Sequence, residues 1–139
     1  MDERITEELL AELLASPSIE GFLGENAINE VTLSEYLQQL LDKKGLKRAE
    51  VIRKANLNAT FGYQVFTGAR GAGRDTILQL VFAMELTLRE ANRLLQAAGV
   101  NGLYCKNRRD GIIIFCIEHS YSLQETDEEL YRFGEETIC

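Results

Sequence analysis

With 139 residues, 45% of them hydrophobic, the chain suffices for one domain with its own core, or one domain with an extension. It has no run of about 18 apolar residues to span a bilayer, and residues 1–8 are too acidic for a secretory leader, so no membrane partner and a cytoplasmic location are expected. Three widely spaced cysteines and a single histidine support neither a disulfide framework nor a zinc site, so Cys105, Cys116 and Cys139 read as free thiols, with no metal and no cofactor expected.

The net charge of −7 is unevenly spread. Residues 1–30 hold eight acidic side chains against one Arg, a net of −7, and residues 75–139 hold eleven against six Lys and Arg, a net of −5. Between them, residues 31–74 hold Lys43, Lys44, Lys47, Arg48, Arg53, Lys54, Arg70 and Arg74 against Glu35, Asp42 and Glu50, a net of +5. A basic island with acidic flanks is the electrostatic footprint of a nucleic-acid surface that discourages indiscriminate binding.

In chain order, Ile5, Leu9, Leu10, Leu13 and Leu14 recur at helical spacing with Glu7, Glu8 and Glu12 opposite, and Ser16-Pro17 stops this amphipathic helix. Residues 18–30, with Gly21 and Gly24, read as a connector packed by Ile19, Phe22 and Leu23. Thr32 and Glu35 form a capping-box pattern that opens a helix running to about Lys44, with Leu33, Tyr36, Leu37, Leu40 and Leu41 buried and Gly45 as its left-handed end. A second helix spans about 48–55 on Ala49, Val51, Ile52 and Ala55, and Asn56 suits the positive φ of a tight turn. Asn58 caps a third helix over about 59–67, which buries Val65 and part of Phe61, Gly62 and Phe66 before Gly68 ends it. Its apolar residues do not alternate, which argues against a strand.

The remainder repeats itself at an offset of 35. Laying 74–100 over 109–135 aligns Arg74-Asp75 with Arg109-Asp110, Ile77-Leu78 with Ile112-Ile113, Thr87-Leu88 with Ser122-Leu123, and Glu90, Leu95 and Gly99 with Glu125, Leu130 and Gly134. Each copy reads as two helices, the second opened by a capping box and ended by glycine. The register makes 112–117 a helix, although alone it could be a buried strand. Two copies are fewer than a solenoid needs, so the second pair, using Ile112, Ile113, Phe115, Ile117, Leu123 and Leu130, is expected to pack on the core of the first.

The stretch 46–68, LKRAEVIRKANLNATFGYQVFTG, resembles the helix-turn-helix of the phage repressor-like (XRE, Cro/cI) family, and the two following helices extend the resemblance over about 32–100. The resemblance implies an all-α fold: a five-helix repressor-like bundle (31–100), here with an N-terminal helix and connector (1–30) and a duplicated C-terminal helical hairpin (101–139). It implies a transcriptional regulator whose third helix enters the major groove of double-stranded DNA. Carried over by position, Arg48 meets a phosphate, and Asn58, Ala59, Thr60, Tyr63 and Gln64 take the outward positions of the reading helix, with Arg70 and Arg74 along the backbone. Gln64 could pair with adenine, Thr60 could meet a thymine methyl or a base acceptor, and Asn58 serves as a phosphate clamp or base reader, or simply as the cap. Three positions depart from the family pattern. Asn56 replaces the usual glycine, Ala59 offers little hydrogen bonding, and Gly62 replaces an apolar core residue, leaving space for Phe61 or Phe66 to fill.

Other constellations read as structure. Residues 68–74 are glycine-rich but follow a helix and lack the Lys-Ser/Thr pair of a phosphate loop, so they read as a wing-like turn. The acidic runs 127–129 and 135–136 read as a solvated face, and the basic cluster 106–109 as the connector between repeats. No nucleophile, base and orienting group converge, so no enzyme is expected. A homodimer, joined by the Ile5-Leu9-Leu13 stripe or the C-terminal hairpin, would suit a palindromic site. The competing reading is an adaptor that binds another protein through the aromatic third helix or the C-terminal hairpins, a toxin-neutralising partner being one variant.

Overall fold

A computed structural model describes residues 31–139 together with Ala11, Leu14 and Ala15. Those three are helical and exposed; the remainder of the expected N-terminal helix, its stripe of Ile5, Leu9 and Leu13, and the connector to residue 30 lie outside the described residues. Val31–Cys139 is a compact unit of its own. It is all-α, with helices α1 (Leu33–Lys44), α2 (Arg48–Lys54), α3 (Ala59–Thr67), α4 (Arg74–Ala83), α5 (Leu88–Ala97), α6 (Arg108–Glu118) and α7 (Leu123–Arg132), and no strand among the described residues. Residues 112–117 are helical, inside α6. No helix among the described residues is long and apolar enough to cross a membrane.

Four of the joints between these helices are built alike. A residue in the left-handed region (Gly45 φ 63°, Asn56 φ 58°, Glu85 φ 53°, Ser120 φ 57°) follows each helix. An apolar residue comes next (Leu46, Leu57, Leu86, Tyr121), and its N–H donates to the carbonyl five residues back at 2.9–3.2 Å. The N-cap of the next helix then follows: Lys47, Asn58, Thr87 or Ser122. The back-bond satisfies a carbonyl that the helix end would orphan, and the apolar side chain covers it. Left-handed backbone costs an L-residue about 1 kcal/mol, so Glu85 and Ser120 hold that conformation because the joint as a whole requires it.

The sequence repeat is also a structural one. Thr87 with Glu90 and Ser122 with Glu125 both complete the reciprocal capping box, and Gly99 and Gly134 both sit at φ 76°. The correspondence runs beyond residues 100 and 135: Asn92 Oδ1 accepts from Leu103 N–H at 2.8 Å, and Asp127 Oδ1 accepts from Ile138 N–H at 2.6 Å. Asp127, expected on a solvated face, therefore clamps the final residues, with Oδ2 accepting from Cys139 N–H.

Charged side chains cross between the repeats. Arg74 donates to both oxygens of Asp110 at 2.8 Å, to Asn101 O at 3.0 Å and to Gly102 O at 2.9 Å. Arg109 donates to Asp75 at 3.0 Å, to Glu136 O at 2.9 Å and to Thr137 O at 3.3 Å. The carbonyl partners of Arg109 are those of Arg74 moved by 35 residues, while each arginine takes its carboxylate from the other repeat. Such an exchange relates the α4–α5 and α6–α7 hairpins by an approximate two-fold. Accordingly α4 packs on α7 and α5 on α6.

One core runs through the unit. Leu37, Leu40, Val51, Val65, Ile77, Leu78, Leu94 and Leu95 are joined in it by Ile113, Cys116, Leu123, Leu130 and Ile138. Burial pushes the Cys116 thiol above its ordinary pKa, so it stays protonated and acts as a small apolar side chain. Phe115 differs from expectation. It is 52% exposed and stacks on His119 with ring centroids 3.9 Å apart, because Ile113 and Cys116 define the inward face of α6 and nothing described covers the opposite one.

Ile113→Ala should cost about 2–5 kcal/mol and leave a single cooperative transition, since it empties a site in the shared core. Two melting steps, only one of them sensitive to Ile113, would make the last hairpin an independent module. The crossed pair should register in pH. Burial opposes the charge on Asp110, yet the bonds from Arg74 and Tyr104 N–H outweigh it and hold the carboxyl below its usual range. A depressed acid contributes stability that is intact above the unfolded value of about 3.9 and drains as pH falls through the folded one. Thermal melts should show Asp110→Asn less stable than the parent at neutral pH, the gap closing in acid, and Arg74→Ala should cost about 3–5 kcal/mol at pH 7.

Candidate nucleic-acid interface

The third helix owes its orientation to three residues. Gly62, Val65 and Phe66 are buried, which at 3.6 residues per turn leaves Ala59, Thr60, Tyr63, Gln64 and Thr67 facing outward. Asn58 Oδ1 accepts from Phe61 N–H at 3.1 Å, fixing the entry, and Gly68 at φ 84° closes the exit. Of the aromatics, Phe66 is 7% exposed and Phe61 half-buried, so Tyr63, at 51%, is the one on the outward face.

Gly62 is where the expectation of empty space fails. A Cβ at this position would lie 2.6 Å from Cγ2 and 2.9 Å from Cγ1 of Ile52, so the volume belongs to α2 and neither Phe61 nor Phe66 is needed to fill it. The missing side chain lets α2 and α3 approach closely and sets how far α3 stands out.

Beside this face Arg48, the first residue of α2, lays its guanidinium over the Tyr63 ring, 4.6 Å from the centroid. Arg48 is exposed and forms no ion pair among the described residues, so a guanidinium held over the ring keeps N–H donors for another partner. At an exposed site the contact contributes about 0.5–1 kcal/mol, enough to bias the rotamer of Arg48. Arg70 lies over Phe61 at 5.8 Å, and its backbone N–H donates to Gln64 O at 3.2 Å, which holds the residues after Gly68 against the end of α3. Gln64 is half-buried, and its amide makes no hydrogen bond among the described residues; Thr67 donates its hydroxyl to Gln64 O. Ala59 and Thr60 are exposed.

Arg74 does not belong with them. Its guanidinium is spent on Asp110 and two carbonyls, so the expected contact along a nucleic-acid backbone gives way to the link between repeats. The duplicated Arg-Asp dipeptide was the signal: a charge pair recurring at the repeat period is a candidate for exchange between copies. Lys43 and Lys44 are also occupied, each 3.2 Å from a Glu90 oxygen. Burial disfavours the charge of Glu90, but Thr87 N–H and these two ammonium groups more than compensate and lower its pKa. Of the eight cations in 31–74, five remain without an ion pair among the described residues: Lys47, Arg48, Arg53, Lys54 and Arg70. The cluster 106–109 is structural as expected: Asn107 caps α6, Arg109 joins the crossed pairs, and Arg108 donates to Phe133 O. No group of three or more potential metal ligands occurs among the described residues.

Because Gly62 sits against Ile52, Gly62→Ala should destabilise the unit by about 1–3 kcal/mol through overpacking. Combined with Ile52→Ala, the loss should be smaller than the sum of the two single changes, as a double-mutant cycle in urea would reveal. Strict additivity would mean that α3 does not rest on α2 in this way. No protein-family model, no curated protein and no solved structure matches this chain, so its functional reading rests on its own residues.

Proposed function

We propose that the chain is a sequence-specific DNA-binding regulator of the phage repressor-like kind, with α3 as the helix that enters the major groove. The observation carrying this reading is the outward face of α3: Thr60, Tyr63 and Gln64 stand on one side, with the Arg48 guanidinium over the Tyr63 ring at their edge. Polar side chains able to read base edges are thus bracketed by a cation able to meet phosphate. Arg48 and Arg70, which form no ion pair among the described residues, lie against side chains of α3, while α7 presents Glu125 and Glu128. Such a distribution favours DNA approach from the α3 side and disfavours it elsewhere.

The turn before α3 carries less weight than the resemblance alone suggests. It is the joint that also precedes α5 and α7, so turn geometry does not distinguish a reading helix from a structural one in this chain. Weight shifts to surface chemistry. In roles, Arg48 and Arg70 neutralise phosphate, Gln64 and Thr60 read bases, Tyr63 holds Arg48, and Asn58 combines a helix cap with a free amide donor. Ala59 permits close approach without a polar contact.

Selection from a random duplex library, then titration of the enriched site at two salt concentrations, tests the proposal. Arg48→Ala or Arg70→Ala should weaken binding to all sequences and flatten the log–log salt slope by about one unit. Gln64→Ala should cost about 1–3 kcal/mol at the preferred site and spare non-specific affinity. Absence of an enriched motif, or binding indifferent to Arg48→Glu with Arg70→Glu, overturns it. Arg74 is unsuited to this test, since its loss acts through the fold.

A further inference from the structure

The two hairpins share a fold but not a cover. On the first, α1 packs against α5 and α2 against α4, and Ile77, Leu80 and Leu94 are 0% exposed. Lys43 and Lys44, at the end of α1, reach Glu90 of α5. The positions 35 residues on are open. Ile112 and Glu129 are half-buried, Phe115 is largely exposed, and a cavity of about 540 Å³ lies between α6 and α7, lined with apolar surface from Ile112, Phe115, Tyr121 and Phe133. Glu125 is the counterpart of Glu90. It keeps its capping bonds to Ser122, which lower its pKa, but it is exposed and forms no ion pair among the described residues, although Lys54 lines the same hollow.

We propose that the α6–α7 face is a docking site for an amphipathic helix of a partner protein, one bearing large apolar side chains at helical spacing and a basic last turn. The chemistry of the occupant follows from what the chain places on the equivalent face. There α1 buries Tyr36, Leu37, Leu40 and Leu41 and ends in Lys43-Lys44. An apolar helix laid along the open cavity meets Phe115 and Phe133 as α1 and α2 meet the first hairpin, and its side chains enter a volume suited to anchors of that size. Its basic end meets Glu125 and Glu128, which are exposed and lie one turn of α7 before Glu129 and Arg132 of the cavity lining, with no ion pair among the described residues. The two arginines of the site do not oppose this, since Arg108 lies 3.5 Å from Glu135 and Arg132 3.4 Å from Glu129. None of these residues belongs to the proposed DNA-reading surface, so this inference and the DNA reading stand or fall separately.

The test uses the full chain and a fluorescent peptide of residues 31–46, the sequence of α1, made with Gln38→Lys and a lactam to Asp42 so that it is helical before binding. Fluorescence anisotropy should give saturable binding, with Kd on the order of ten micromolar. Phe115→Glu should weaken it at least about tenfold with an unchanged Tm, because that side chain is exposed in the free protein. Glu125→Gln retains the capping acceptor but not the charge, so it should weaken binding about threefold to tenfold and reduce its salt dependence. Failure to saturate at about a hundred times that concentration, or binding unaffected by Phe115→Glu, overturns the proposal. So does sedimentation showing a dimer of the full chain that Phe115→Glu converts to monomer, for the face would then belong to a second copy.

Discussion

The crossed pairs Arg74–Asp110 and Arg109–Asp75 are the constraint on which the arrangement of this fold depends. Asp110 is only 5% exposed, and a carboxylate so placed is tolerable only with a fixed cation and further donors around it. Arg74 supplies a two-pronged bond, Tyr104 N–H a third contact, and the remaining arms of Arg74 gather the carbonyls of Asn101 and Gly102. A planar guanidinium can hold all of these at once, and an ammonium cannot. The first turns of α4 and α6 and the segment joining the hairpins are thereby tied at one place.

The exchange also explains how two repeats suffice. In a solenoid each copy interacts forward with the next, and the last copy needs a cap. Here Arg109 reaches back to Asp75 instead of onward, so each hairpin completes the other and the pair closes on itself. Closure places Ile113, Leu123 and Leu130 in the same core as Leu78 and Leu95, and no separate interface divides them. What the two-fold does not equalise is the outside. One hairpin carries α1 and α2, the other carries exposed aromatics, and that asymmetry is the basis of the docking surface proposed on α6–α7.

Recurrence of one joint has a similar lesson for function. A left-handed residue, an apolar residue and a cap solve the local problem of ending one helix and beginning another, whatever the second helix does. The helices after these joints differ in what they show to solvent: α3 offers Thr60, Tyr63 and Gln64 beside an arginine set over the Tyr63 ring, whereas α7 offers Gln124, Glu125 and Glu128. It is the side chains, and not the turn, that make α3 the candidate for DNA.

The sequence by itself determined the elements. Helical periodicity, the Asn58, Thr87 and Ser122 caps, the left-handed Gly45 and Asn56, the helix end at Gly68, and the 35-residue repeat depend on residues a turn or two apart or on comparison of the chain with itself, so they were legible without coordinates. The outward set on α3 came from the resemblance to the repressor-like helix-turn-helix, position by position. Only the tertiary structure decided what depends on neighbours distant in sequence: that Ile52 fills the place beside Gly62, that Phe115 lies open, that Lys43 and Lys44 belong to Glu90, and that Arg74 belongs to Asp110. The physical reason is that a charged or apolar side chain carries no mark of its partner. Whether an arginine meets a carboxylate 36 residues away or waits for a phosphate is settled by packing, which brings together groups whose separation along the chain says nothing of their separation in space.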